Sequence, residues 1–320
     1  MNKRSPKKIT VWAESSGEAE QFLKRIARSG LTFRIDEIYV AKTSGKSRAN
    51  TYRGGQYHKY DIAQQACLDD MVKAPQSVID AVQWCSCDLM IAVDDVVRLC
   101  IEDTTHLQGN NLFQRIPRLA KASMLGIPSI IFQGTRNLNL SQRGMRWAMK
   151  RYLNALLVIN DIYKTWCIAL LYHNDQEELS KEKRLIGICN EVVMGSGALI
   201  PQEIQQVIQT MRNFAHAELG SATPPITCIQ VGSNEVRVMI GVRPDRPSWT
   251  TKGSGQMDTY LGLICAAKLL YCYDANGKQV KELNVVFKYL PNGFWWFRDK
   301  NKSLYNTVPK EIADNLIFNG

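Results

Sequence analysis

Asp88 and Glu102 bracket the most informative stretch of this chain, CDLMIAVDDVVRLCIEDT, Cys87 to Thr104. Two apolar runs flank Asp94-Asp95, so 88–104 reads as a β-hairpin. Side chains alternate faces along a strand. Leu89, Ile91 and Val93 therefore share one face of the first strand, and Val97, Leu99 and Ile101 share one face of the second. Matching those faces pairs Leu89 with Ile101, Ile91 with Leu99 and Val93 with Val97. It leaves Asp94-Asp95-Val96 as a three-residue loop and sets Asp88 opposite Glu102, on the polar face with Arg98, Cys100 and Thr104. Directly opposed residues have Cβ atoms about 4.5–5.5 Å apart. Two carboxylates that close repel unless a positive charge lies between them or one keeps a proton. A divalent cation is the common solution, and oxygen ligands favour Mg2+ or Mn2+. Such an ion orients a phosphate and acidifies a bound water for in-line attack. The plainer reading makes Asp88 a strand-start residue and Glu102 a solvated one. Asp94 and Asp95 read as turn residues, and His106 has no partner at ligand spacing.

The chain after the hairpin suits a phosphate ligand. A polar linker, Thr105–Asn111, leads to a helix expected around Leu112–Leu125, then to an apolar strand, Ser129–Gln133. Gln114, Arg118 and Lys121 fall on one face of that helix at i, i+4 and i+7, with Arg115 beside them. Net charge is +10 and the pI about 9.1. From Thr104 to Asn160 there is no Asp or Glu, yet the stretch carries Arg115, Arg118, Lys121, Arg136, Arg143, Arg146, Lys150 and Arg151. A second acid-free stretch, Lys42–Tyr60, carries Lys42, Lys46, Arg48, Arg53 and Lys59. A phosphate-backbone footprint has this pattern; so do two solvated basic faces.

The elements that must position these residues come next. Ile9–Ala13 reads as a strand, and Ser15 with Glu18 forms a capping box opening a helix to about Arg28, ended by Gly30. Phe33–Ala41 reads as a strand and Thr43–Tyr57 as a loop. Asp61–Lys73 and Gln76–Trp84 read as helical pieces split at Pro75, Ser141 to about Asn174 as one long helical region, and Lys181–Met194 and Pro201–Leu219 as two more helices. Near Gly220 the texture changes. SATPP, 221–225, reads as a linker, and Ile226–Val231, Glu235–Val242, Ala266–Tyr273, Glu282–Tyr289 and Phe294–Arg298 read as strands punctuated by turns at Asp274–Gly277 and Pro291–Gly293. The chain thus divides into an α/β part, 1–220, and a β-rich part, 221–320. The stretch 243–260 and the aromatic cluster 294–297 fit a base-contacting recognition module or, more plainly, a β-domain core with a long loop. No acid-x-Lys strand follows Pro244-Asp245, so that dipeptide is set aside.

Composition narrows the class. The 320 residues, 45% hydrophobic and 22% charged, suit one large or two ordinary folded domains. No apolar run reaches the roughly 20 residues of a membrane span, and no signal peptide is expected, which predicts an intracellular protein. The nine cysteines are scattered, and the Cys85-x-Cys87 pair has no second pair at zinc spacing, so free thiols are expected.

The order hairpin–helix–strand, with Asp88 opening one strand and Glu102-x-Thr104 closing the next, resembles the core of the PD-(D/E)XK nuclease superfamily, most of all its restriction-endonuclease branch. The resemblance covers Asp88–Gln133, with Glu18–Arg28 as the preceding helix. It implies an α/β (α+β) fold, a mixed sheet core flanked by helices. It also implies a Mg2+-dependent (Mn2+ would serve) endonuclease that cuts double-stranded DNA as a homodimer, of the sequence-specific type II kind. Asp88 and Glu102 would hold metal, Thr104 and Gln114 would assist, and Glu18 or Glu20 would be an accessory acid. Lys46, Arg48, Arg53, Lys59, Arg115, Arg118, Lys121, Arg143 and Arg146 would contact DNA. Two positions depart from the pattern. Cys87 stands where the family has proline, and Thr104 stands where it has lysine. Either Lys121 or an arginine reaches in from the helix, or the hydroxyl and a second metal suffice, or the site is impaired. Two rivals compete: a Toprim-type nuclease built on Glu14 and Asp94-Asp95, and a non-catalytic DNA-binding protein on a degenerate nuclease fold.

Overall fold

The computed structural model describes residues 7–41, 51–52, 55–56, 58–61, 71–82, 87–104, 109–136, 138, 140, 142–163, 165–195, 202–217, 226, 228–240, 255–287 and 311–318. The fold is mixed α/β, as expected. Its first half runs β1 (Ile9–Ala13), α1 (Ser16–Ser29), β2 (Glu37–Ala41), β3 (Thr51–Tyr52), β4 (Gly55–Gln56), β5 (His58–Asp61), β6 (Met71–Lys73), α2 (Gln76–Ala81), β7 (Leu89–Val93) and β8 (Val96–Thr104). A 3-10 turn (Gly109–Arg115) then leads into α3 (Ile116–Met124), β9 (Ser129–Gly134), α4 (Arg143–Tyr163), β10 (Cys167–Tyr172), α5 (Asp175–Met194) and α6 (Gln202–His216). The last part is β11 (Ile229–Val231), β12 (Glu235–Ile240), α7 (Gly255–Tyr271), β13 (Glu282–Phe287) and β14 (Asn315–Phe318).

Eight strands form one sheet in the order β10-β9-β8-β7-β1-β2-β5-β6. Every neighbouring pair is parallel except those made by β7, which runs antiparallel to both β1 and β8. The carboxyl ends of seven strands and the amino end of β7 therefore share one rim. In open α/β sheets, ligands bind at that rim. Both sheet faces are covered, which is why β1, β7 and β9 are buried throughout and mostly apolar rather than alternating. Helices α1 and α5 pack on one face over Val11, Leu89, Ile91 and Ile101, and α2 and α3 on the other over Trp12, Met90, Ala92 and Cys100.

The hairpin keeps its expected register for its outer half, Leu89 with Ile101 and Ile91 with Leu99. Toward the turn the register shifts, pairing Ala92 with Val97 and Val93 with Val96, so the loop has two residues, not three. Arg98 is the extra residue of the bulge. The shift sends Val97 to the opposite apolar face, with Ala92. Its cause is the turn: Asp94 and Asp95 both have positive φ, 50° and 64°, the geometry that matches strand twist in a two-residue hairpin. Asp94 Oδ1 also accepts from the Lys8 backbone N–H at 2.9 Å.

Three other expectations are corrected. Met71–Lys73, read as the end of a helix, is strand β6 pairing with β5. Cys167–Tyr172, read as helix, is strand β10 pairing with β9; a six-residue apolar run fits either state by periodicity, and the Asn160 side chain, in the last turn of the preceding helix, accepts from Cys167 N–H at 2.5 Å. Ala266–Tyr273, read as a strand, lies mostly within α7, so the part beyond residue 220 is not simply β-rich. That part has its own four-stranded sheet, β11-β12-β13-β14, while Phe294–Arg298 lies outside the described residues. Leu261, Ile264 and Cys265 of α7 join the same apolar core as the large sheet, and α7 packs on the 3-10 turn, α3 and α4. Seven cysteines among the described residues are free thiols, and among those residues no helix is long and apolar enough to cross a membrane.

Candidate metal centre

Four carboxylates meet at the rim. Glu14 directly follows β1, and its N–H donates to the Asp88 carbonyl at 3.0 Å, continuing the β1–β7 pairing. Ser15 caps α1, its Oγ accepting from Glu18 N–H at 3.4 Å, which turns Glu18 back toward the strand ends. Carboxylate oxygens of Glu14, Glu18 and Asp88 lie within 4.8 Å of one another. Glu18 Oε2 is buried without a hydrogen-bond partner. Burial, then the nearby Asp88 charge, push the Glu18 carboxyl up to about 7. An all-oxygen set with one unsatisfied buried oxygen suits a hard divalent ion.

Asp88 and Glu102 do stand side by side, but an arginine lies between them. Arg118 Nη1 donates to Glu102 Oε1 and Oε2 at 3.1 and 3.0 Å and to Asp88 Oδ1 at 3.4 Å, and stands 4.0 Å from Glu14 Oε2. Arg115 Nε lies 3.2 Å from Glu102 Oε2 and donates to Thr104 Oγ1 at 3.3 Å. Glu102 is fully buried. That burial drives its carboxyl up to about 8, with Arg118 and Arg115 pulling it down and Asp88 and Glu14 adding to the rise. The carboxylates placed so that they could hold a metal ion are therefore Glu14, Glu18 and Asp88, and Glu102, expected as a ligand, is a partner of the two arginines here.

The sheet's other face braces this arrangement. Asp103 points away from Glu102 and accepts from Arg25 Nε at 2.7 Å and Nη2 at 3.0 Å. Arg25 Nη1 reaches Glu178 at 3.1 Å and Glu182 at 3.0 Å, and its guanidinium lies 4.2 Å over the Phe132 ring. One buried arginine thus ties the helix carrying Glu18 to the strand carrying Glu102 and to α5.

Several expected DNA contacts are corrected by burial. Arg118 and Lys121 are 5% and 8% exposed. Because α3 is enclosed by the sheet, α4 and α7, its basic face turns to the acids, and Lys121 Nζ lies 3.7 Å from Glu311. Arg115 is spent on Glu102 in the same way, and Gln114 is 7% exposed beside it. Arg146 is exposed on α4. Lys46, Arg48 and Arg53 lie outside the described residues, as do the side chains of Lys59 and Arg143. The Toprim arrangement is not formed. Glu14 joins Asp88, whereas Asp94 sits by Lys8 at the far end of β1 and β7. Sequence reasoning missed Glu14 for this site, although an acid between a strand end and a helix cap was its signal. It also missed Gln133, which pairs with Thr104 across β8–β9 and is fully buried with Nε2 unpartnered.

Comparisons with protein-family models, with curated proteins and with solved structures find no match to this chain.

Proposed function

We propose that the chain is a divalent-metal-dependent endonuclease of the PD-(D/E)XK kind, hydrolysing phosphodiester bonds of duplex DNA inside the cell. The observation that carries the reading is the convergence of Glu14, Glu18 and Asp88 at the rim, with a guanidinium against the same carboxylates. Glu14, Glu18 and Asp88 would hold Mg2+ or Mn2+. When bound, the ion orients the phosphate and lowers the pKa of its water. Arg118 supplies the positive charge that the family's lysine would carry at Thr104, and Arg115 and Thr104 extend that polar wall. Arg146 and the acid-free basic stretches would hold the backbone. Cutting both strands with one site per chain implies a homodimer, and the restriction-like resemblance implies sequence-specific cleavage.

The test is cleavage of plasmid and genomic DNA with Mg2+, comparing wild type with Asp88→Ala and Glu18→Gln. Both variants should lose cleavage by at least a hundredfold and keep DNA binding; full activity in both removes the assignment. A second reading, a non-catalytic DNA-binding protein on this core, is favoured by Arg118 standing between Asp88 and Glu102. Salt-sensitive DNA binding with no cleavage under Mg2+ or Mn2+, across varied sequences, selects it.

A further inference from the structure

We infer that this centre takes one divalent ion rather than two, because Arg118 holds the second cation position as a fixed side-chain charge. The inference rests on the metal-dependent reading above and narrows it. In two-ion phosphoryl-transfer sites the ions sit about 3.5–4 Å apart, near a carboxylate that serves both. Asp88 has that place here. It belongs to the Glu14–Glu18 group on one side and faces Arg118 Nη1 at 3.4 Å on the other. Glu102, the further ligand a second ion would need, has both oxygens on Arg118 Nη1, at 3.1 and 3.0 Å, and Arg115 Nε at 3.2 Å.

A guanidinium cannot give up its proton under ordinary conditions, so this charge is permanent. The Arg118 side chain is 6% exposed and that of Glu102 is 0% exposed. Displacing the pair would strand a buried cation and oblige an ion to enter beside it. Charge balance agrees. Even with all four carboxylates ionised, two guanidiniums and one divalent ion offset them, and a second ion would leave the cluster with two excess positive charges. The unpartnered Glu18 Oε2 marks where the single ion has a ligand waiting.

The experiment is a Mn2+ titration of the full chain at pH 8, followed by calorimetry and by the spin-resonance signal of free Mn2+. Wild type should bind one ion. Glu102→Gln should still bind one, since Glu102 is the arginine's partner, whereas Glu18→Gln should bind at least tenfold more weakly. Arg118→Lys, which keeps a cation, should bind one, and Arg118→Met, if folded by circular dichroism, two. The contrast between Glu102→Gln and Glu18→Gln decides the matter without the methionine variant. Two ions on wild type, or loss of the ion in Glu102→Gln, overturns the inference while leaving the metal-dependent reading intact. One ion on folded Arg118→Met does the same. No Mn2+ bound by wild type removes both.

Discussion

The backbone N–H of Asp103 donates to Asp88 Oδ2 at 2.8 Å, so the residue between Glu102 and Thr104 fixes the neighbouring strand's acid. Asp103 is itself held by Arg25, which is fully buried among Asp103, Glu178 and Glu182. Removing one member of a buried ion network leaves the others uncompensated, at a cost of about 3–5 kcal/mol. Arg25→Met should lower unfolding stability by that amount in urea titrations. A loss within experimental error would mean that water or a neighbouring cation replaces Arg25.

Stability should depend on pH in a defined direction. The Glu18 and Glu102 carboxyls are held up to about 7 and about 8, above their ordinary 4.5. Between those values the folded chain keeps protons that the unfolded chain has released, so folding stability falls as pH rises. Melting temperature in chelator should therefore decline from pH 5 to 8. Glu18→Gln should flatten the part up to about pH 7 and Glu102→Gln the part up to about pH 8. Metal binding, which needs the ionised carboxylates, should tighten over the same range. A rising melting temperature would contradict the assigned burial of both groups.

Helix α7 meets the 3-10 turn at Gly262 with no room for a side chain. A Cβ there would stand 2.1 Å from the Phe113 carbonyl oxygen, next to Gln114 and Arg115. Gly262→Ala should cost about 1–3 kcal/mol through forced displacement of that backbone. Gly187→Ala in α5, where a Cβ meets nothing within 4 Å, should instead stabilise by roughly 0.5–1 kcal/mol. Thermal unfolding of the two variants checks both signs.

The turn gives another signed pair. Asp95 has a φ of 64° and an exposed side chain, so Asp95→Gly should be neutral or stabilising by up to about 1 kcal/mol. Asp95→Val, β-branched at positive φ, should destabilise by about 1–3 kcal/mol. Equal melting temperatures for the two would mean the turn relaxes.

The parts legible in the sequence were those set by local chemistry. Ser15 and Glu18 announced the start of α1, Gly30 its end, and the alternation of Leu89, Ile91, Leu99 and Ile101 placed Asp88 against Glu102. The failures came where tertiary packing decides. Cys167–Tyr172 carries no period that separates a buried strand from a helix. Arg115, Arg118 and Lys121 looked like a solvent face because an acid-free run hides partners distant in sequence: Asp88 and Glu102 lie 30 and 16 positions from Arg118. Glu14 was matched with Asp94-Asp95 in the Toprim reading and not with Asp88, because only the β1–β7 pairing brings it to Asp88.

The chain order of the cluster bears on how it assembles. A hairpin closes on its own in microseconds, and this one sets Glu102 against Asp88, 14 positions back, before the helix bearing Arg118 need be docked. The nascent strands therefore meet as two like charges, and a proton is the counter-ion at hand. Refolding begun in mild acid should pass this point faster than refolding at pH 8, and the folded cluster still keeps that proton below about pH 8, because burial outweighs the arginine that α3 later brings between the acids.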